Sequence, residues 1–301
     1  MLTRRSLLKS SLTAAAASAL LPNLRGNTMA EPWFKISLAQ WSLHNALYAG
    51  ELDALDFPKV AREDYGCDGV EYVNSFFKDK ATDFDYLAEL KARAAKYGVQ
   101  NVLIMIDGEG HLADEDDEAR RTALENHVRW IAAAKFLGCH SIRVNVAGGG
   151  KPEEQAARGA DSLRRLARIG DQYAINVIVE NHGGWSSNGE WLAGVMKAAN
   201  HPRVGTLPDF GNFRMSEDRE YDRYLGVEQL MPFAKGVSAK SWDFGDDGFE
   251  TKMDFPRLLE IVRAAGYRGF IGIEYEGDRM SEPEGIRATK KLLERIRDGK
   301  V

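Results

Sequence analysis

The chain has 301 residues, of which 44% are hydrophobic and 28% are charged, a composition typical of an ordinary globular protein. Its net charge of −5 provides no basic surface for a phosphate backbone, so nucleic acid is not expected as a partner. The two cysteines, Cys67 and Cys139, are too few for a disulfide framework. Each precedes a predicted strand, where a buried thiol is expected.

The N-terminal segment has the pattern of an export signal. Arg4 and Arg5 precede an alanine-rich apolar run that ends near Pro22, and the arginine pair followed by "SLLK" resembles a twin-arginine signal. A short amphipathic or disordered N-terminal helix is the alternative. We predict a signal peptide over residues 1–30, a periplasmic mature protein and one domain over residues 31–301. The apolar run is too short for a membrane span.

From residue 35 onward, a short apolar strand, a polar loop and an amphipathic helix alternate along the chain. Three of the predicted helices end at a glycine, which easily adopts the left-handed conformation of a helix C-terminus: Gly98, Gly138 and Gly266. The predicted helices include residues 84–98, 123–138, 160–174, 254–266 and 282–299. The predicted strands cover residues 35–40, 69–73, 101–106, 141–146, 176–180, 203–209, 235–240 and 270–275.

Eight strand–helix repeats with a period of about 30 residues indicate an α/β protein with a parallel sheet. The right-handed crossover rule and the strand count favour closure into a single (β/α)₈ TIM barrel. A doubly wound open sheet is the alternative. It is disfavoured because "AQWSLHNALYAG", after the first strand, contains no G-x-G-x-x-G motif.

The stretch "VIVENHGG", residues 177–184, places charged groups at the end of a buried strand. Side chains two residues apart on a strand share a face, so Glu180 and His182 are both predicted to face the barrel mouth. Asp209 and Glu274 end two other late strands. Burying three carboxylates together is costly without a cation, and oxygen donors suit Mn²⁺ or Mg²⁺. A nearby imidazole extends the choice to Co²⁺ or Zn²⁺. Helix capping or pairing with a Lys or Arg is the alternative role for these acids.

Four segments, "VIVENHGG", "GTLPDFGNF", "GVSAKSWDF" and "GFIGIEYEG", resemble the last four strand ends of the xylose-isomerase-like, sugar phosphate isomerase/epimerase superfamily. The resemblance extends over roughly residues 35–297. It implies a divalent metal held by Glu180, Asp209 and Glu274. The superfamily commonly has His-x-Lys on the seventh strand, whereas this chain has Ser238-Ala239-Lys240. This departure leaves open a weaker metal site, recruitment of His182 or a water, or a metal-free site neutralised by Lys240.

The resemblance further implies proton abstraction next to a carbonyl, through an enediolate, in a sugar isomerase or epimerase. Glu180 and Glu274 would be the acid–base pair, the metal would stabilise the enediolate oxygen, and Lys240 would add positive charge. His182 is a further base, or else an orienting hydrogen-bond partner. Candidates for contacts to a small sugar or glycoside are Trp41, His44, Glu71, Arg143, Asn145 and Trp185.

Two other functions fit the same residues. A 3-keto-glycoside lyase would use the same proton abstraction and then eliminate the aglycone, and an exported protein suits an unphosphorylated glycoside. No basic run after strands seven and eight suggests a phosphate clamp, although Arg143 could serve. A non-catalytic carbohydrate-binding barrel is the alternative from another class. The sequence leaves open the sugar, the metal and whether the protein is a homo-oligomer.

Overall fold

The computed structural model describes residues 32–301, and the signal predicted over residues 1–30 lies outside them. Eight strands form one parallel sheet, and two further strands form an antiparallel hairpin. The strands are β1 (Lys35–Ala39), β2 (Gly69–Val73), β3 (Gln100–Met105), β4 (Ser141–Val144), β5 (Asn176–Glu180), β6 (Val204–Leu207), β7 (Arg214–Ser216), β8 (Arg219–Glu220), β9 (Val237–Ser241) and β10 (Phe270–Tyr275).

The sheet order is β6-β5-β4-β3-β2-β1-β10-β9, with every adjacent pair parallel. Isolated parallel bridges, Thr206 to Ala234 and Asp209 to Ser238, join the two outer strands. At the second bridge, the Ser238 N–H donates to the Pro208 carbonyl at 2.9 Å. The sheet therefore closes into the predicted barrel, but its last seam is bridged at two points and has no continuous ladder.

Helices follow the barrel strands and cover the outside of the sheet. All five helices predicted above are present, and α4 and α5 begin several residues earlier than predicted. Their first turns are polar, so the apolar period does not reveal them; Asp116 caps α4 through its side chain, and Pro152 opens α5. The helices are α1 (His44–Tyr48), α2 (Phe57–Glu63), α3 (Phe84–Tyr97), α4 (Asp117–Leu137), α5 (Pro152–Tyr173), α6 (Gly189–Ala199), α7 (Arg223–Leu230), α8 (Phe255–Ala264) and α9 (Glu282–Arg297).

The three glycines predicted at helix ends have positive φ, as expected. Gly98 and Gly138 are the left-handed C-caps of α3 and α4, and Gly266 follows the C-cap of α8. The chain reverses at these glycines and enters the next strand. Within residues 32–301, no helix combines the length and apolarity required to cross a membrane.

Two apolar layers hold the barrel together. The larger layer packs the helices against the outer face of the sheet and includes Trp130, Phe34 and Tyr275. The smaller layer fills the barrel below the strand ends and consists of Ala39, Val73, Val102, Leu103, Met105, Ile178, Leu207 and Phe270. The polar groups at the C-terminal mouth therefore rest on a packed apolar floor, which keeps them at fixed positions.

Candidate active site

Three carboxylates converge at the C-terminal mouth of the barrel. Glu180 ends β5, Asp209 follows β6 and Glu274 lies on β10. One oxygen of each lies within 4.8 Å of the others, and all three side chains are buried. The structure thus brings together the three residues that the sequence predicts as metal ligands.

Asp209 is fixed by its backbone as well as by its side chain. The Asn181 amide accepts from the Asp209 N–H at 2.8 Å and donates to the Asp209 carbonyl at 2.9 Å. One carboxylate oxygen accepts from the N–H groups of Gly211 and Asn212, and the other accepts from Ser238 Oγ at 2.6 Å. Burial nevertheless raises the pKa of Asp209 above its usual value, although Lys240 acts in the opposite direction.

Glu180 has one hydrogen-bonded oxygen and one without a partner. Oε1 accepts from the Asn212 amide at 2.9 Å. Oε2 lies 2.8 Å from Arg143 Nε, but the N–H is not aligned with it, and neither atom has a hydrogen-bond partner among the described residues. Burial raises the pKa of Glu180, and the nearby guanidinium of Arg143 partly offsets that effect. Oε2 is therefore a buried oxygen that contacts Arg143 but accepts no aligned hydrogen bond, so it can still accept one.

Lys240 connects Glu274 to the outer rim. Its Nζ lies 3.0 Å from Glu274 Oε1 and 2.8 Å from Glu276 Oε2. Burial alone would lower the pKa of Lys240, but the carboxylates around it hold the pKa well above its usual range. Gly211 permits this arrangement, because a Cβ there would lie 2.8 Å from the Lys240 stem and 2.5 Å from the Trp242 ring.

The charge balance of the mouth fits a divalent cation. Five carboxylates gather there, three of them the converging set and the others Asp107 and Glu276, whereas Arg143 and Lys240 are the two cationic groups buried among them. The excess negative charge is costly to bury without a further cation. Hard oxygen donors and the unpartnered Glu180 Oε2 fit a divalent ion of the Mn²⁺ or Mg²⁺ kind.

Arg143 and Asn145, predicted to contact substrate, are engaged with Asp107. Arg143 Nη1 and the Asn145 amide each donate to Asp107 Oδ1, at 2.7 and 2.8 Å. Burial would raise the pKa of Asp107, but Arg143 outweighs it, and the pKa lies below its usual value. Arg143 also contacts Glu180, so its guanidinium is engaged by two protein carboxylates.

Glu71, predicted to contact substrate, is buried in the barrel interior. Its side chain is 1% exposed, accepts from Ser37 Oγ at 2.5 Å, and fills the space above Gly272, where a Cβ would clash with it. Burial raises the pKa of Glu71 to about 8, and the Ser37 hydroxyl acts in the opposite direction. Oε2 has no partner among the described residues. The structure therefore places Glu71 in the barrel interior below the site.

The aromatic candidates lie on the rim. The Trp41 indole donates to Glu276 and faces the mouth, and His44 stacks on Trp41 with ring centroids 4.9 Å apart. His44 also lies 3.4 Å from Glu282, so it supports Trp41 from the side. Trp185 is half-buried beside the hairpin, where the Arg219 guanidinium lies 5.7 Å from the ring centre.

His182 lies between two cavities at the mouth. The smaller, about 270 Å³, lies over Arg143 and Glu274. The larger, about 760 Å³, opens toward the β7–β8 hairpin. His182 lines both, and its ring is exposed to them. Partial desolvation, together with Arg143 and Lys240, lowers the pKa of His182, which favours a neutral imidazole at neutral pH.

The profile of the family described as "Xylose isomerase-like TIM barrel" matches residues 60–297. The chain belongs to this family. The matched region includes every residue of the converging carboxylate set and seven of the eight barrel strands. The xylose isomerase-like barrel and the resemblance found in the sequence are therefore confirmed.

Solved structures of similar fold include several sugar epimerases. The apo 3-keto-D-glucoside 4-epimerase from E. coli has a TM-score of 0.64 and 19% identity over 82% of this chain and 94% of its own. The D-psicose 3-epimerase from Clostridium cellulolyticum, solved with D-tagatose, has a TM-score of 0.67 and 14% identity over 88% and 98%. The zinc-bound IolI protein has a TM-score of 0.69 and 15% identity over 89% and 99%. At these identities the likeness shows the fold.

One curated relative is similar over a short segment. The C-glycoside deglycosidase alpha subunit of Arthrobacter globiformis is 35% identical over 65 residues, which is 21% of this chain. The segment spans only 18% of that protein's length.

Within the xylose isomerase-like barrel, the sequence did not reveal how the converging carboxylates are held in place. Asn181 and Asn212 fix Asp209 and Glu180, and both are short polar residues in segments that read as loops. The signal that could have found them is their position in the sequence, since Asn181 directly follows Glu180 and Asn212 lies three residues after Asp209. Ser238 lies against Asp209 and, at 3.4 Å, Glu274, so the hydroxyl occupies the family's usual histidine position as a hydrogen-bond donor.

Proposed function

We propose that this protein is a sugar isomerase or epimerase that moves a proton at a carbon next to a carbonyl. The observation that carries the proposal is the convergence of Glu180, Asp209 and Glu274 within 4.8 Å at the mouth of a xylose isomerase-like barrel. Three buried carboxylates from three strands have no packing role, and acid–base chemistry needs carboxyl groups of this kind.

Glu180 and Glu274 act as the proton-transferring pair. They come from β5 and β10, which are separated around the barrel by β6 and β9, so they reach the centre from different sides. Each has its own cation, Arg143 beside Glu180 and Lys240 beside Glu274. One of the two carboxylates removes the proton from the sugar carbon and the other returns a proton to it.

A divalent metal held by Glu180, Asp209 and Glu274 would polarise the substrate carbonyl and stabilise negative charge on its oxygen. The protein contributes the remaining functions. Lys240 keeps a fixed positive charge next to Glu274, and the apolar floor below the mouth excludes water from underneath the sugar. Trp41 provides a flat apolar face on the rim that suits a sugar ring.

Proton NMR in D₂O tests the proposal. The protein is incubated with free ketoses, aldoses and 3-keto-glycosides, first with Mn²⁺ or Mg²⁺ and then with EDTA. We expect metal-dependent exchange of one sugar C–H, and its loss in the Glu180→Gln/Glu274→Gln double variant. Bound metal and full exchange in that variant would show that the site is placed wrongly. Absence of exchange with every sugar would favour a carbohydrate-binding barrel.

A second candidate is a lyase acting on 3-keto-glycosides. The 65-residue similarity to the C-glycoside deglycosidase alpha subunit supports it, as does the second cavity next to the carboxylates, which has room for a substituent on the sugar. The same abstraction of a proton would then expel the aglycone. Release of the aglycone in the NMR experiment would identify the lyase, and exchange or a new epimer without release would identify the isomerase.

We also propose that the protein is exported through a twin-arginine signal, based on the order of the paired Arg4 and Arg5, the apolar run and Pro22. Cell fractionation of the full chain and of the Arg4→Lys/Arg5→Lys variant tests this. Periplasmic protein is expected only with the arginine pair. Equal distribution of both forms would exclude the signal.

A further inference from the structure

The larger cavity at the barrel mouth has a charge opposite to that of the carboxylate site. Its lining includes three cationic side chains, Arg214, Arg223 and Lys252, and one carboxylate, Glu220. Glu220 pairs with Arg223, which also donates to the Phe210 carbonyl. The charges of Arg223 and Glu220 neutralise each other, and Arg214 and Lys252 are the two remaining cations that face the cavity.

Arg214 and Lys252 have no ion-pair partner among residues 32–301. Arg214 is exposed on β7, at the start of the hairpin. Lys252 is exposed in the loop between β9 and α8, and its ammonium lies 5.7 Å from the centre of the Trp242 ring. Two segments distant in sequence therefore direct unpaired positive charge and an indole into one cavity.

This cavity adjoins the proposed reaction centre. Asn212 lines it and also donates to Glu180 Oε1, and His182 lines both it and the smaller cavity over Glu274. Its volume of about 760 Å³ suits a drug-sized ligand, and the smaller cavity next to it is about 270 Å³. A substrate with its reacting ring in the smaller cavity would extend past His182 into the larger one.

The two cavities differ in the charge that each can accept. Carboxylates crowd the smaller one, so an anionic group there would meet like charge. In the larger cavity the same group would meet Arg214 and Lys252, whose charges are not neutralised by the protein. A substrate that consists of a neutral sugar ring and an anionic substituent would therefore bind with the ring in the smaller cavity and the anionic substituent in the larger one.

We propose that the larger cavity is a subsite for an oxyanion on the substrate, held by Arg214 and Lys252, so that the substrate is a glycoside with a carboxylate or sulfate outside the reacting ring. The inference rests on the proposed function, since it assumes that the sugar occupies the smaller cavity. The cations were not recognised in the sequence because the hairpin and the loop between β9 and α8 form no basic run.

Calorimetric binding with a matched set of ligands tests the subsite. The 4-nitrophenyl and 4-carboxyphenyl β-D-glucosides have nearly the same shape and differ in charge, and the 4-sulfophenyl glucoside separates a sulfate-type preference from a carboxylate preference. At low salt we expect at least one acidic glucoside to bind about tenfold or more tightly than the nitro compound, with the ratio falling as salt is added.

The variants then locate the effect. In Arg214→Gln/Lys252→Gln the preference should fall to about twofold or less. The control Lys35→Gln/Arg268→Gln removes two exposed cations from the opposite end of the barrel and should keep the preference. Equal affinities in the parent protein, or a preference that survives in the first variant, would overturn the subsite. Exchange in D₂O is measured on the same protein preparations with the ketoses, aldoses and 3-keto-glycosides named above, because the aryl glucosides have no carbonyl next to which a proton could be removed. Absence of exchange together with a retained binding preference would count against the proposed function alone.

Discussion

Asp107 and Asp209 occupy equivalent positions on two sides of the barrel but have opposite electrostatic surroundings. Asn74 exchanges two hydrogen bonds with the Asp107 backbone, and Asn181 does the same with Asp209. Arg143 pairs with Asp107 and lowers its pKa, whereas the oxygens of Asp209 accept from a hydroxyl and two amides, and burial raises its pKa. At each site the two hydrogen bonds from the asparagine, here called the clamp, fix the position of the aspartate. A direct contact with a cation, which only Asp107 has, decides whether the carboxylate charge is neutralised within the protein.

The largest expected effect comes from removing each charge in turn. Asp209→Asn should weaken Mn²⁺ binding by about 100-fold or more and abolish metal-dependent exchange, because a ligand is lost. Asp107→Asn should weaken Mn²⁺ binding by less than about tenfold, because Asp107 is not one of the three converging carboxylates and contacts Glu180 only by way of Arg143. Titration with Mn²⁺ monitored by electron paramagnetic resonance measures both. Similar losses of Mn²⁺ affinity in the two variants would mean that Asp107 and Asp209 contribute equally to metal binding.

Removing the clamps separates position from charge. Asn181→Ala and Asn74→Ala each leave a backbone N–H and a carbonyl without their partners, and each should cost about 2–4 kcal/mol in the free energy of unfolding. Urea denaturation of the metal-free proteins measures this. Only Asn181→Ala should also weaken Mn²⁺ binding, by about 10- to 100-fold. A comparable loss of Mn²⁺ affinity in Asn74→Ala would contradict the proposal that only the clamp on Asp209 supports the metal site.

Glu71 is a further buried carboxyl without a cation contact, and it should make stability depend on pH. The folded protein holds its proton up to a pKa of about 8, whereas the unfolded chain releases it near 4.5. The parent therefore loses stability as pH rises through this window. Glu71→Gln has no proton to lose, so it should be the more stable protein at pH 9, by roughly 2–4 kcal/mol, and nearly equal to the parent at pH 4.

Chemical denaturation at several pH values measures the Glu71 effect. Asp68→Asn, which changes an exposed carboxylate one strand position outside β2, is the matched control and should leave the pH profile unchanged. Parallel profiles for the parent and Glu71→Gln would show that Glu71 ionises normally in the folded protein.

The smallest expected effect concerns Ser238. Ser238→Ala removes one hydrogen bond to Asp209 and should cost about 1 kcal/mol in stability while leaving Mn²⁺ affinity within about tenfold of the parent. Ser241→Ala removes a buried hydroxyl that faces Thr289 outside the barrel and controls for the stability loss. A loss of metal affinity of about 100-fold would instead identify the Ser238 hydroxyl as a ligand.

Periodicity predicted the eight barrel strands to within about two residues at each end, because each is a short apolar run between polar loops. The hairpin formed by β7 and β8 was not predicted, since its five strand residues are mostly charged and exposed and have no alternating pattern. Its contribution to the larger cavity therefore could not be anticipated.

The converging carboxylates were predictable because strand ends meet at one edge of a parallel barrel. Their partners were not. Arg143 and Asn145 lie at a strand end like the converging carboxylates, and only the structure shows that both are directed at Asp107. The depth of Glu71 was equally hidden, because the missing side chain at Gly272, two hundred residues later, creates the space that Glu71 fills.

The proposed metal site lies at the seam between β6 and β9, where the barrel closes. The Asp209–Ser238 bridge closes the sheet at this seam, and the proposed ligands lie on both sides of it, Glu180 and Asp209 on one and Glu274 on the other. An ion held by all three would act as a cross-link between the free edges of the sheet, at the place with the fewest backbone hydrogen bonds. Occupancy of the site and resistance of the barrel to opening would then rise together.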